Sequence, residues 1–273
     1  MSRIAERFRS CRAAGRTALV PYITGGDPAP GRTVELMHAL VAGGADILEL
    51  GVPFSDPMAD GPVIQAACGR ALAAGTTPEQ LLEAVRRFRA DDPGTPVILM
   101  GYANSLEAAG YRAFVERAAA AGVDGLLTVD LPPEEAGELA PAAAEHGVDL
   151  IYLVAPNTSA ARLERVCAGA SGFIYAVALK GVTGAGSLDA GAVAGQVAAI
   201  REATDLPIAV GFGVRDPESA ATLAPVADAV VVGSALVRLI GEHGDAPGLA
   251  ERLRDAVGAL RRAMDQTQAE GGS

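Results

Sequence analysis

The chain has 273 residues, half of them apolar but only 4% aromatic and with no Trp, which is enough for one large core built from Ala, Val, Leu and Ile. A formal charge of −11 argues against nucleic acid and anionic membrane as partners, because both select basic surfaces, and no apolar run approaches the ~20 residues of a membrane helix. An anionic ligand must therefore be held locally, by backbone amides or a single cation; Arg supplies nearly all the cations, and Lys180 is the only lysine.

The opening segment MSRIAERFRSCRAAGR (1–16) is Arg-rich like a transit peptide, but Glu6 and the spacing of Ile4, Phe8 and Cys11 predict a short amphipathic helix instead, a cap on the barrel floor. Eight apolar runs come next: ALVPYIT (18–24), ILELGVP (47–53), PVILMGY (96–102), GLLTVD (125–130), DLIYLVAP (149–156), GFIYAVAL (172–179), PIAVGFG (207–213) and AVVVGSAL (229–236). They are nearly continuous rather than alternating, the pattern of parallel strands covered on both faces. Helical spacing fills the gaps, with Val34, Leu36, Met37, Leu40 and Val41 on one stripe and Leu81, Leu82, Val85 and Phe88 on another. Eight such units in series predict a (β/α)8 TIM barrel, one domain over residues 1–273, with 267–273 as a disordered tail. Active sites of such barrels form at the carboxyl ends of the strands. Cys11, Cys68 and Cys167 have no CxxC spacing and read as reduced thiols of a cytoplasmic protein. His38, His146 and His243 are scattered, so no metal site is expected.

The densest chemical signal is LELGVPFSDPMADGP (48–62). Side chains alternate along a strand, so if Leu48 and Leu50 pack on helices, Glu49 projects into the barrel. Burial there disfavours the anion and raises the pKa, which lets the group hold and deliver a proton near neutral pH. Asp56 and Asp60 come next in the loop. Either could face a ligand, turn chemistry serves an Asp equally well, and spacing alone does not separate them. Three glycine turns, GVTGAG (181–186), GFGV (211–214) and VGSA (232–235), fall at late strand ends. Loops after the seventh and eighth strands are the recurring phosphate site of these barrels; glycine admits close backbone N–H groups, a helix N-terminus adds partial positive charge, and Ser234 adds a hydroxyl.

With VPYITGGDP (20–28), GVDGLLTVDLPPEE (122–135) and IYAVALKGVTG (174–184) added to these segments, the chain resembles the tryptophan synthase alpha chain family over nearly its whole length. The resemblance implies retro-aldol cleavage of indole-3-glycerol phosphate to indole and glyceraldehyde 3-phosphate without a cofactor. It implies Glu49 as the acid at indole C3, Asp60 on the indole N–H, Tyr175 in the site, and Thr183 closing over it. Gly184, Gly213, Gly233 and Ser234 would take the phosphate, and Tyr22, Leu99, Tyr102 and Phe173 would form the indole slot. It also implies a partner, the pyridoxal-phosphate beta chain of an α2β2 assembly, met through Asp56, Pro57 and Pro132. Two loops depart from the family: Ala178, Leu179 and Lys180 stand where a Ser and often an Arg precede GVTG, and GYANSLEAAGY lacks the Pro that often follows the Asn. Those departures motivate two alternatives, a stand-alone lyase that releases indole and a weakly active barrel that docks a partner. Lys180 at the sixth strand end raises a Schiff-base mechanism as a further rival.

Overall fold

A computed structural model describes residues 2–178, 189–211 and 213–271, with side chains through 268. Helix α1 (Arg3–Ala13) is followed by β1 (Ala18–Thr24), α2 (Thr33–Ala42), β2 (Leu48–Gly51), α3 (Pro62–Ala73), α4 (Pro78–Asp91), β3 (Val97–Gly101), α5 (Ala103–Glu107) and α6 (Tyr111–Ala121). Then come β4 (Gly125–Thr128), α7 (Leu139–His146), β5 (Asp149–Val154), α8 (Ala160–Gly169), β6 (Ile174–Val177), α9 (Ala190–Ala203), β7 (Ile208–Gly211), α10 (Pro217–Leu223), β8 (Ala229–Val232), α11 (Ser234–His243) and α12 (Leu249–Gly271). The eight strands close in sequence order into one barrel, and every pair is parallel, β8 meeting β1 through Ala18 and Ala229.

Strand alternation divides the core into two shells. Leu48, Leu50, Val97 and Leu99 face the helices, while Val20, Tyr22, Ile98, Met100, Tyr175 and Val231 fill the barrel. Glu49 lies level with Tyr22 and Ile98 and so shares their inward side. The helices are cut by local signals. Thr77 and Gln80 form a capping box ahead of Pro78 at the start of α4, and Asp216 with Ser219 does the same for α10.

The predicted floor cap is present: Ile4, Phe8 and Cys11 of α1 are buried, and the Phe8 ring meets Phe173 at 5.7 Å. Around it lie acidic groups that stitch strand starts together. Asp46, just before β2, accepts the Leu19 N–H at 2.9 Å and returns its own N–H to the Leu19 carbonyl. Asp124, before β4, has the same two bonds to Val97, and Asp228, before β8, to Ile208. Arginines neutralise them: Arg16 and Arg261 on Asp46, Arg3 and Arg89 on Asp124, Arg12 and Arg201 on Asp228. The three cysteines are buried free thiols.

The chain end departs from its expected disorder. Helix α12 runs to Gly271 because Leu249, Leu253, Val257, Leu260 and Met264 form one buried stripe against the barrel. Gln268, inside the predicted tail, clasps Thr17 through both its amide oxygen and nitrogen, at 3.1 and 2.6 Å. No described helix is long and apolar enough to cross a membrane.

Candidate active site

At the carboxyl ends of the strands lies a cavity of about 360 Å³. Its walls are Tyr22 of β1, Met100 of β3, Tyr175 just inside β6, Val231 of β8, and Val63 and Ile64 of α3. Glu49 and Asp60 enter one side; Gly213, Arg215, Gly233, Ser234 and Arg238 form another.

Glu49 is 3% exposed, and its Oε1 has no hydrogen-bond partner among the described residues. Burial first, then the neighbouring Asp60 charge, push its pKa up to about 8. The group therefore carries a proton at neutral pH and can give it up to a base of moderate strength. Asp60 sits in the loop between β2 and α3. Burial raises its pKa and the Tyr102 hydroxyl, donating to Oδ2 at 2.8 Å, opposes that rise. Tyr102 also accepts the Ala59 N–H at 3.0 Å and stacks on Phe54 with centroids 5.2 Å apart, so one ring holds the loop leading up to Asp60 as well as Asp60 itself. The geometry thus separates the two loop aspartates: Asp60 faces the cavity, whereas Asp56 is exposed and bonded by Ser55.

Burial also pushes the Tyr22 and Tyr175 hydroxyls well up, keeping both neutral donors. Tyr175 has room only because β7 ends in glycine: a Cβ at Gly211 would lie 2.0 Å from its Oη. On the β7–β8 side, Gly213 adopts φ +84°, a conformation other residues rarely take, and Gly233 leads into Ser234 at the first turn of α11. Gly233 and Ser234 line the cavity, and the Ser234 and Ala235 N–H groups precede the first intrahelical bond, which Leu236 makes to the Gly233 carbonyl; a helix start of this kind suits a phosphate.

Three expected pocket residues belong elsewhere. Leu99 faces the helices, because the residue inward on β3 at this height is Met100, in phase with Glu49. Phe173 precedes β6 and so lies at the floor against Phe8, at the opposite end of the barrel. Tyr102 holds Asp60 rather than walling the cavity. Pro57, expected on a partner surface, is buried where its turn folds back, its carbonyl accepting the Asp60 N–H; Pro132 is half-buried. Thr183, Gly184, Leu179 and Lys180 lie outside the described residues. The sequence reading missed Met100, Ile64 and both cavity arginines. Arg238 had a legible signal, since it lies four residues after Ser234 and thus on the same helix face.

A closed parallel barrel with a carboxylic acid of raised pKa and a helix N-terminus both lining one largely apolar cavity at its mouth is the arrangement of a (β/α)8-barrel enzyme of acid–base chemistry. The profile of the tryptophan synthase alpha chain family matches residues 8–267. A tryptophan synthase alpha chain of Halorhodospira halophila is 78% identical over 273 residues, all of both chains, and one of Thioalkalivibrio sulfidiphilus is 60% identical over 97% of this chain and 100% of that one. The crystal structure of the alpha subunit from Legionella pneumophila has a TM-score of 0.90 at 42% identity, covering 97% of this chain and 99% of that one. Tryptophan synthase from M. tuberculosis gives 0.86 at 38% identity, covering 96% and 98%. The chain belongs to the tryptophan synthase alpha chain family and is a carbon–carbon lyase of tryptophan biosynthesis.

Proposed function

We propose that this chain carries out its cleavage of indole-3-glycerol phosphate with Glu49 as the mobile proton carrier and Asp60 as the fixed anion. The observation that carries the assignment is Glu49: a buried carboxyl group that lines a largely apolar cavity, with no partner for Oε1 among the described residues and its pKa raised to about 8. The indole ring occupies the slot between Tyr22, Met100, Ile64 and Val231, and the phosphate sits at Gly213, Gly233 and Ser234. Glu49 gives its proton to indole C3, and the ring becomes an indolenine with positive charge at nitrogen. Asp60 accepts the N–H and stabilises that charge. Glu49, now a carboxylate, takes the proton from the hydroxyl on the side-chain carbon bonded to C3. That O–H pair becomes the aldehyde C=O, the C–C bond breaks, and its electron pair restores the aromatic ring. The carboxylic acid is regenerated, and no oxidant, reductant or external base is consumed. Thr183 and Gly184 complete closure and phosphate binding on this reading.

Cytoplasmic assembly with a beta chain into an α2β2 complex follows from the same reading. Met58 supports it: a methionine 84% exposed at the tip of the Asp60 loop, with Asp56 beside it, offers an apolar contact next to the mouth. Indole release by the purified chain, alone and with a beta chain, tests both parts. Slow release accelerated by the beta chain is expected. Fast release indifferent to the beta chain would mean a stand-alone lyase, and none in either case would overturn the substrate.

A further inference from the structure

The anion-binding side of the cavity holds more positive charge than helix and glycine amides alone supply. Arg215 follows Gly213 in the loop after β7, and Arg238 lies on α11; both line the same cavity as Glu49 and Ser234. Most arginines of this acidic chain are engaged: Arg70, which reaches α11 from α3, forms a two-pronged bond with buried Asp27 at 2.8 Å. Arg238 makes no ion pair among the described residues. A helical side chain leans toward the N-terminus of its helix and covers the turn before its own Cα. Arg238 is therefore directed back over the Ser234 turn, where the unsatisfied N–H groups lie. Separation from the acids completes the pattern, because Glu49 and Asp60 enter from β2 and its loop while the guanidinium groups come from the β7 and β8 side.

We propose that Arg238, assisted by Arg215, forms a guanidinium rim over the Gly213–Ser234 cradle and binds the phosphomonoester end of the substrate. This deepens the lyase reading by naming what selects a dianionic phosphate over an uncharged side chain. Guanidinium suits that role, because its planar donors meet two phosphate oxygens at once and it stays charged at every working pH. The rim also places positive potential beside the cavity, in a protein whose net charge of −11 repels the substrate elsewhere.

The test measures KM and kcat for indole-3-glycerol phosphate, and calorimetric binding of sn-glycerol 3-phosphate, in the full chain carrying R238A, R238K or R238A with R215A. Loss of a charge-assisted bond at this exposed position predicts a roughly tenfold rise in KM and in the glycerol 3-phosphate Kd for R238A, larger in the double variant. KM should carry the loss more than kcat, R238K should recover part of it, and the salt dependence of KM should flatten as the cations go. Unchanged KM and unchanged glycerol 3-phosphate binding in the double variant would overturn the rim. A wild-type chain that binds glycerol 3-phosphate in an Arg238-dependent way yet releases no indole would sink the lyase substrate and leave the rim standing.

Discussion

At the barrel floor Asp46 and Asp124 are 1% and 4% exposed, as buried as Glu49 at 3% near the mouth, but their surroundings are opposite. Each floor carboxylate accepts a backbone N–H from the neighbouring strand and is flanked by two or three guanidinium groups. Glu49 Oε1 has no donor among the described residues, and its main charged influence is another carboxylate. A buried carboxyl ringed by donors and guanidinium groups is engaged in holding strands together; one without them keeps its proton more readily. On the proposed function, the same residue chemistry serves stability at one end of the strands and reactivity at the other, set by where the arginines are.

The sharpest test of that contrast is Glu49→Gln, which keeps the shape and removes the transferable proton. Indole release should fall by at least ~10²–10⁴-fold, the usual contribution of one positioned acid–base group, while urea unfolding shows no loss of stability at pH 7. A destabilised E49Q would mean that Glu49 is structural after all. Asp124→Ala should do the reverse. It strands Arg89, which is nearly buried, and frees the Val97 N–H, so unfolding should become easier by about 3–5 kcal/mol. Assayed where it is still folded, D124A should retain wild-type kcat; a large loss of kcat would break the division between floor and mouth.

The pH dependence separates the two regions again. Glu49 has a folded pKa of about 8 against an ordinary 4.5, so the folded state keeps a proton that the unfolded chain has released between those values. Stability from this group is complete below pH 4.5 and is lost as pH rises toward about 8, at a slope approaching ~1.4 kcal/mol per pH unit in that window. E49Q removes that slope, so the stability difference E49Q minus wild type should grow from pH 6 to pH 8 and then level off. In parallel, kcat/KM should decline above pH about 8 as the free enzyme loses its acid. A difference in stability that stays flat with pH would place the Glu49 pKa near its ordinary value.

Which of these features could be read beforehand depends on how each residue is marked in the chain. Glu49 is a lone charge between leucines, so its inward direction was legible from alternation, and with it the raised pKa. PVILMGY has no such mark: every position is apolar, and nothing local says whether Leu99 or Met100 faces inward until β3 is registered against Glu49. Phe173 failed for a different reason: it is the second residue of GFIYAVAL, at the amino end of β6, an end that the carboxyl-end rule already assigns to the floor. Arg16, Arg89 and Arg261 are remote in sequence from the strand ends they neutralise, so the floor network is a tertiary fact. The tail of α12 was misjudged because its terminal glycines outweighed the buried stripe that ends at Met264 and the Gln268–Thr17 clasp.

The smallest expected effect probes how the mouth treats its two acids differently. Tyr102 is the only side-chain donor to Asp60 among the described residues, and its bond to Oδ2 favours the anion against the burial that disfavours it. Tyr102→Phe removes that donor and the acceptor of the Ala59 N–H while preserving the stack on Phe54, so the pKa of Asp60 rises. Activity should drop only about tenfold, the scale of one charge-assisted hydrogen bond, but the acid limb of the kcat profile should move to higher pH because more alkali is needed to ionise Asp60. The alkaline limb, which on this reading Glu49 sets, should stay near pH 8. An acid limb that does not move in Y102F would mean that Asp60 takes its charge from something other than Tyr102, and the mouth would then resemble the floor in having a dedicated partner for each carboxylate.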